Sequence, residues 1–256
     1  IYVYGLDMKM ALFVHDCFLE IGHSHAMVEI LRNIPQEDVQ RIDIVAFTCE
    51  DVEILFPKLK GKVFFRKVPF PRLYPFIFKV IFYHLYTYFF TVIAITKQTK
   101  KVGIGIASLT ADIINVQFIH SQWDEYFFEH KKLSFVTYYY KKILFYYFKI
   151  CERFLYSKKT TRLGVLSQFV TDYCKENFKL PNENVKTVYS GINLQKFEIN
   201  KTPRLELYQE LVMTYPELKV IDPSKPIFLF VGAYERKGLP IVPVSYTHLT
   251  LPTTPY

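Results

Sequence analysis

The chain has 256 residues, half of them hydrophobic and 22% charged, a balance that excludes a disordered polypeptide and allows one sizeable core, or one core and part of a second. Its net charge of +8 favours an anionic partner, without choosing among nucleic acid, a phospholipid surface and a phosphorylated substrate. The four cysteines (Cys17, Cys49, Cys151 and Cys174) are widely spaced and form no Cys-x-x-Cys pair, so neither a zinc site nor a disulfide framework is suggested, and buried or idle thiols in a reducing cytoplasm are expected.

In chain order, residues 1–7 (IYVYGLD) lack the basic start and apolar core of a secretory signal and read as upstream read-through, with translation beginning at Met8 or Met10. Residues 11–15 form the continuous apolar run of a buried parallel strand. A loop, HDCFLEIGHSH, follows with Gly22, and AMVEILRNI reads as a helix. Further strands are expected at residues 41–47, 62–68, 102–106, 113–119 and 162–166. Strands alternating with helices predict an α/β fold, a Rossmann-like parallel sheet with helices on both faces and right-handed crossovers.

Two helices stand out between these strands. Residues 76–96 are apolar nearly to the length of a bilayer span. Lys79 and His84 interrupt the run and strand–helix units continue on both sides, so it reads as a long helix buried against the sheet or lying at a membrane interface. Residues 131–159 place Lys142, Lys149 and Arg153 at helical spacing on one side, with Phe145, Phe148 and Leu155 on apolar sides. Such a helix suits an anionic lipid surface, and equally an ordinary solvated face. No RNP-like strand, KH loop or basic zipper accompanies it, so no nucleic-acid partner is expected.

Four places carry candidate chemistry. Gly22, with His23, opens a helix after the first strand, where glycine lets backbone amides approach a phosphate and the helix N-terminus adds partial positive charge. His120 follows the strand INVQFIH, at the carboxyl end where parallel sheets place ligands. His15 and Asp16 occupy the same rim after the first strand. Finally, FLFVGAYERKG (residues 228–238) delivers Gly232 from an apolar strand, then Arg236, Lys237 and Gly238 at a helix start. Between them, YSGIN with Gly191 reads as a turn with positive φ leaving the first domain.

This arrangement, a strand–helix–strand unit, a glycine turn, a charged spacer and Gly-x-x-x-Arg-Lys-Gly, resembles the domain junction of GT-B glycosyltransferases, most closely the retaining family 4. The resemblance covers about residues 8–240. It implies transfer of a sugar from a nucleotide-sugar donor to a hydroxyl of a carbohydrate or lipid-linked acceptor, in glycolipid or envelope polysaccharide synthesis, without metal or other cofactor. It implies that His120 faces the transferred sugar, that Gly22 and His23 form the first-domain loop, and that Arg236 with Lys237, or Lys237 alone, hold the donor diphosphate. Family members carry two adjacent glycines where this chain has Gly22 and His23. Phe197 matches a phenylalanine that follows the family's Asn-Gly-Val-Asp turn, where this chain has Ser190, Gly191, Ile192 and Asn193. The implied setting is the cytoplasm, peripheral on the inner face of the cell membrane. An epimerase-like GT-B enzyme, or a non-catalytic basic protein that binds membrane or nucleic acid, remains as an alternative.

Residues 244–253 (VSYTHLTLPT) read as one frame of a sequencing-library adapter. The expected organisation is therefore read-through at 1–7, an acceptor-side domain at 8–200, a linker and the truncated start of a donor-side domain at 201–240, and a non-native tail at 241–256. The family's second domain also carries a pair of glutamates seven residues apart, and with the chain ending before them the polypeptide as written is expected not to turn over.

Overall fold

A computed structural model describes residues 7–20, 22–70, 75–130, 133–191 and 201–225. The chain divides into two compact units, Ile1–Ile192 and Asn193–Tyr256. In the first, the strands β1 (Met8–Phe13), β3 (Val39–Ala46), β5 (Val63–Lys67), β6 (Lys100–Ile104), β7 (Ile113–Val116), β8 (Arg162–Val165) and β9 (Val185–Thr187) form one sheet. Their order is β5-β3-β1-β6-β7-β8-β9, and every pair is parallel. A separate two-stranded ladder joins β2 (Asp16–Cys17) to β4 (Thr48–Cys49) just beyond β1 and β3.

The central strands are apolar because helices cover them. Ala11, Leu12 and Phe13 of β1 are buried on both faces, as are Ile44, Val45 and Ala46 of β3. One face of β1 and β3 packs under α1 (Gly22–Arg32), through Met27, Val28 and Leu31, and under the short helix α2 (Val52–Leu55), through Leu55. The opposite face carries α3 (Phe76–Ala94), which joins edge strand β5 to central strand β6. On that side lie α4 (His120–His130), α5 (Phe135–Tyr156) and α6 (Gln168–Phe178), packed on β7 and β8 through residues such as Leu155, Tyr156 and Cys174. The α/β architecture thus matches the alternation of strands and helices. Ser134 and Ser167 cap α5 and α6, each accepting from a backbone N–H of the first turn.

Three elements differ from the sequence reading. Strand β7 stops at Val116, so His120 begins a helix rather than ending a strand. The charged stretch read as a spacer holds α7 (Arg204–Thr214) in the second unit, where the Tyr208 hydroxyl bonds the carbonyls of Leu218 and Ile221 at 3.1 and 2.9 Å. Gly191 is exposed and does not adopt the positive φ expected of it; the described glycines in that region are Gly61 and Gly105. The chain leaves β9 extended there, and a Cβ on Gly191 would meet nothing within 4 Å.

Helix α3 is fastened to the sheet by polar bonds. The fully buried Tyr83 hydroxyl is shared between the carbonyls of Val14 (2.9 Å) and Val45 (2.5 Å), just past the end of β1 and within β3. Tyr83→Phe keeps the ring packing and leaves both carbonyls without that donor. It should lower unfolding free energy by about 1–3 kcal/mol in urea denaturation, with the slope of the transition unchanged.

Candidate functional site

The strand order reverses between β1, whose neighbours are reached over one face, and β6, reached over the other. At such a switch point the loops after the two strands part and leave a crevice at their carboxyl ends. Here the segments beyond β1 and β6 carry His15 and Gly105–Ile106. Gly105 has φ +55°, the left-handed conformation that lets the chain turn away directly after β6.

His15 lies at the centre of the rim. Its ring sits edge-on to Tyr83 with centroids 4.7 Å apart and tilted against Phe47 at 6.0 Å. Nε2 is buried without a hydrogen-bond partner among the described residues. Burial, with smaller contributions from His84, Lys79, His23 and His120, pushes its pKa down to about 3. The end of β1 and the first turns of α1, α3 and α4, with His84 on the Ile106 carbonyl, place four imidazoles and the Lys79 ammonium as a crown around this end of the sheet. They do not converge as ligands, since no group of three His, Cys, Asp or Glu among the described residues could hold a metal ion.

Asp16 partly balances the crown. Its Oδ1 accepts from the Thr48 hydroxyl at 2.5 Å, and its Oδ2 lies 3.7 Å from Lys79 Nζ, which also stands 4.4 Å above the Phe47 ring. The buried Ser24 hydroxyl donates to the Asp16 carbonyl at 2.6 Å and ties the first turn of α1 to this loop. Gly22 begins that turn. A Cβ on Gly22 would meet nothing within 4 Å, so the protein's own packing does not demand glycine there. His23 beside it is exposed on its outer side; partial enclosure lowers its pKa, with the Asp16 charge opposing.

His120 is held by a group the sequence reading missed. Glu152 of α5 is fully buried, and its carboxylate accepts from the backbone N–H of His120 at 2.5 Å and of Ser121 at 2.9 Å. The same carboxylate lies 2.9 Å from His120 Nδ1. A buried carboxylate is costly unless fully bonded, and the N-terminus of α4 supplies both the donors and the positive end of its dipole. Nδ1–H donating to Glu152 leaves Nε2 with no described partner. Phe118 and Phe148 pack edge-on at 5.0 and 4.7 Å and fix the ring's plane. Glu152 could have been found from spacing: it is the sole carboxylate of α5 and falls in phase with Phe145, Phe148 and Leu155 on the apolar stripe.

His84, read from sequence as an interruption, joins α3 to two neighbours. One ring nitrogen meets the Ile106 carbonyl at 2.7 Å, and the other meets the Tyr147 hydroxyl of α5 at 2.7 Å. The carbonyl can only accept, so Nε2 carries the proton and Tyr147 donates to Nδ1. The sheet thus gathers Gly22, His23, His15, Asp16 and His120 at one end. Arg236, Lys237, Gly238 and Phe197 lie outside the described residues.

No family model matches the chain, and no curated protein matches it. Among solved structures it is similar to a glycosyltransferase from Rickettsia africae ESF-5, at 15% identity and a TM-score of 0.37. That match covers 82% of this chain and 50% of the other, so the chain spans half the length of this neighbour. At such a score the likeness adds nothing to the fold, which stands on the order and register of the sheet.

Two outcomes follow from the site. Glu152→Ala removes the acceptor from two helix-end amides and from His120, and should cost about 2–4 kcal/mol in chemical denaturation, with Glu152→Gln costing less because one oxygen can still accept. Stability should also fall in acid. His15 is held near 3 in the fold against 6.5 when unfolded, so the unfolded chain takes up the proton first as pH drops. The contribution is complete above about pH 6.5 and is lost toward pH 3, at up to roughly 1.4 kcal/mol per pH unit, and the lowered pKa of His84 acts with the same sign. Unfolding free energy measured against pH should show this slope, and His15→Phe should flatten it.

Proposed function

We propose that the chain is the acceptor-side domain, with the beginning of the donor-side domain, of a retaining GT-B glycosyltransferase that moves a sugar from a nucleotide donor to an acceptor hydroxyl. The observation that carries the reading is the meeting of the N-terminus of α1 at Gly22 with the imidazoles of His15, His23 and His120 at the sheet's switch point. The sequence FLFVGAYERKG adds the basic loop that the resemblance assigns to the donor diphosphate.

In the proposed reaction the acceptor oxygen bonds to the anomeric carbon as the sugar–phosphate bond breaks. The bonding electrons leave with the nucleoside diphosphate, and the acceptor's proton goes to that departing group. Negative charge grows on the diphosphate, where the resemblance assigns Arg236 and Lys237 as the fixed cations that stabilise it. His120, oriented through Nδ1 by Glu152, turns Nε2 to a sugar hydroxyl and accepts its hydrogen bond. The acceptor is a carbohydrate or a lipid-linked carbohydrate.

The test is transfer of labelled sugar from a panel of nucleotide sugars by the product of the uninterrupted gene, in which native sequence replaces residues 241–256. Lys237→Ala should lower kcat about 10²–10³-fold, and His120→Ala should lower kcat while also lowering Tm, because it removes one donor from the buried Glu152. An unchanged rate for Lys237→Ala would remove its phosphate role. Absence of a glutamate pair, seven residues apart, downstream of Gly238 would overturn the assignment to family 4.

A further inference from the structure

We infer that the outward faces of α3 and α5 form one continuous surface that seats the protein on an anionic lipid bilayer, lying along the interface rather than crossing it. Helix α3 is arranged opposite to an ordinary surface helix. Lys79, Tyr83, His84 and Thr91 all bond to protein on its inner side, where Thr87 is buried. Its outer side is aromatic and aliphatic, with Phe89 58% and Ile93 82% exposed. The helix is long and apolar enough to cross a membrane, yet its inner side is bonded to the sheet and to α5, so lipid cannot surround it.

The two helices lie side by side in the same sense. The Ile77 amide bonds the Tyr140 hydroxyl, and seven residues further on in each helix His84 bonds the Tyr147 hydroxyl. Helical spacing then sets Leu85 and Tyr88 beside this seam on α3, and Ile143 and Ile150 beside it on α5, all exposed. Tyr146, 65% exposed, continues the face outward. The combined apolar surface is on the order of 1,000 Å², well beyond what a soluble monomer commonly leaves in one patch.

Charge selects the occupant. Residues 76–97 and 133–159 contain eight cations and one carboxylate, and that carboxylate is the buried Glu152. Lys142 and Arg153 line the edge of the face farthest from α3, both exposed, and Lys97 and Lys159 follow the two helix ends. Aromatic and aliphatic groups at acyl depth with cations at headgroup level is the pattern of an interfacial surface. A second copy meeting the same face would bring the cationic edges together.

The test is sedimentation of the 256-residue chain with phosphatidylcholine vesicles and with vesicles that also contain phosphatidylglycerol. No nucleotide sugar is present, so the result is independent of the transfer reading. Binding is expected to the anionic vesicles and to weaken with salt. Lys142→Ser with Arg153→Ser should reduce it about fivefold for each cation removed, and Phe89→Glu or Ile143→Glu at least about tenfold. Thermal unfolding of each variant verifies that the fold is kept; the outward position of all four side chains makes that the expected result. Failure to bind anionic vesicles, or binding that the four substitutions leave unchanged, would overturn the inference. So would dimerisation in sedimentation equilibrium that Phe89→Glu abolishes, since it would give the face to a second copy.

Discussion

Two adjacent side chains of α3, Tyr83 and His84, hold together the carboxyl end of the sheet. Parallel strands that end in a buried region leave carbonyl groups that must be bonded, because water cannot reach them. Tyr83 supplies the donor for Val14 and Val45, and His84 supplies it for Ile106, so one turn of helix serves the segments following β1 and β6 and the interior of β3. The switch point between β1 and β6 is thus backed by α3, and the imidazole of His15 stands there against Tyr83 and Phe47.

The same turn reaches the next part of the site through α5. His84 fixes Tyr147, one helical turn and a residue before Glu152, and Glu152 fixes both the start of α4 and the ring of His120. Each link is a hydrogen bond whose donor and acceptor are determined by chemistry: a carbonyl that can only accept, a neutral imidazole with one proton, and a carboxylate facing amides. A rim built this way presents His120 Nε2 in one orientation before any ligand arrives. Preorganisation of that kind, rather than a group of unusual reactivity, is what the site offers to chemistry.

The sheet was legible because burial on both faces forces apolar runs such as residues 11–14 and 44–47, and their repeated alternation with helical segments favours strands. The rim was legible in outline, since Gly22 and His120 follow such runs. Glu152 and the roles of His84 and Tyr83 were not. Their partners are backbone carbonyls, amides and a hydroxyl distant in sequence, and no local pattern encodes which helix will lie across which strand end. Gly191 misled for a related reason: glycine permits a left-handed turn but does not compel one, and the extended exit from β9 has room for any side chain. The helix α7 was hidden by composition, because its charged residues make a polar stretch look like a linker.

The inverted polarity of α3 connects these features. A helix that must offer Lys79, Tyr83, His84 and Thr87 to the sheet spends its hydrogen-bonding residues inward. In water the opposite side would ordinarily be made polar to compensate. Here it is not: the outward side carries Phe78, Leu85, Phe89, Val92 and Ile93, each substantially exposed. Packing within the first unit gives no reason for those five residues, since none of them belongs to its three apolar clusters. Their exposure costs free energy in water that another apolar surface covering them would recover. Because Lys79 and His84 stand on the inner side of this same helix, a surface docked on its outer side would lie one helix diameter, about 10 Å, from the histidine crown.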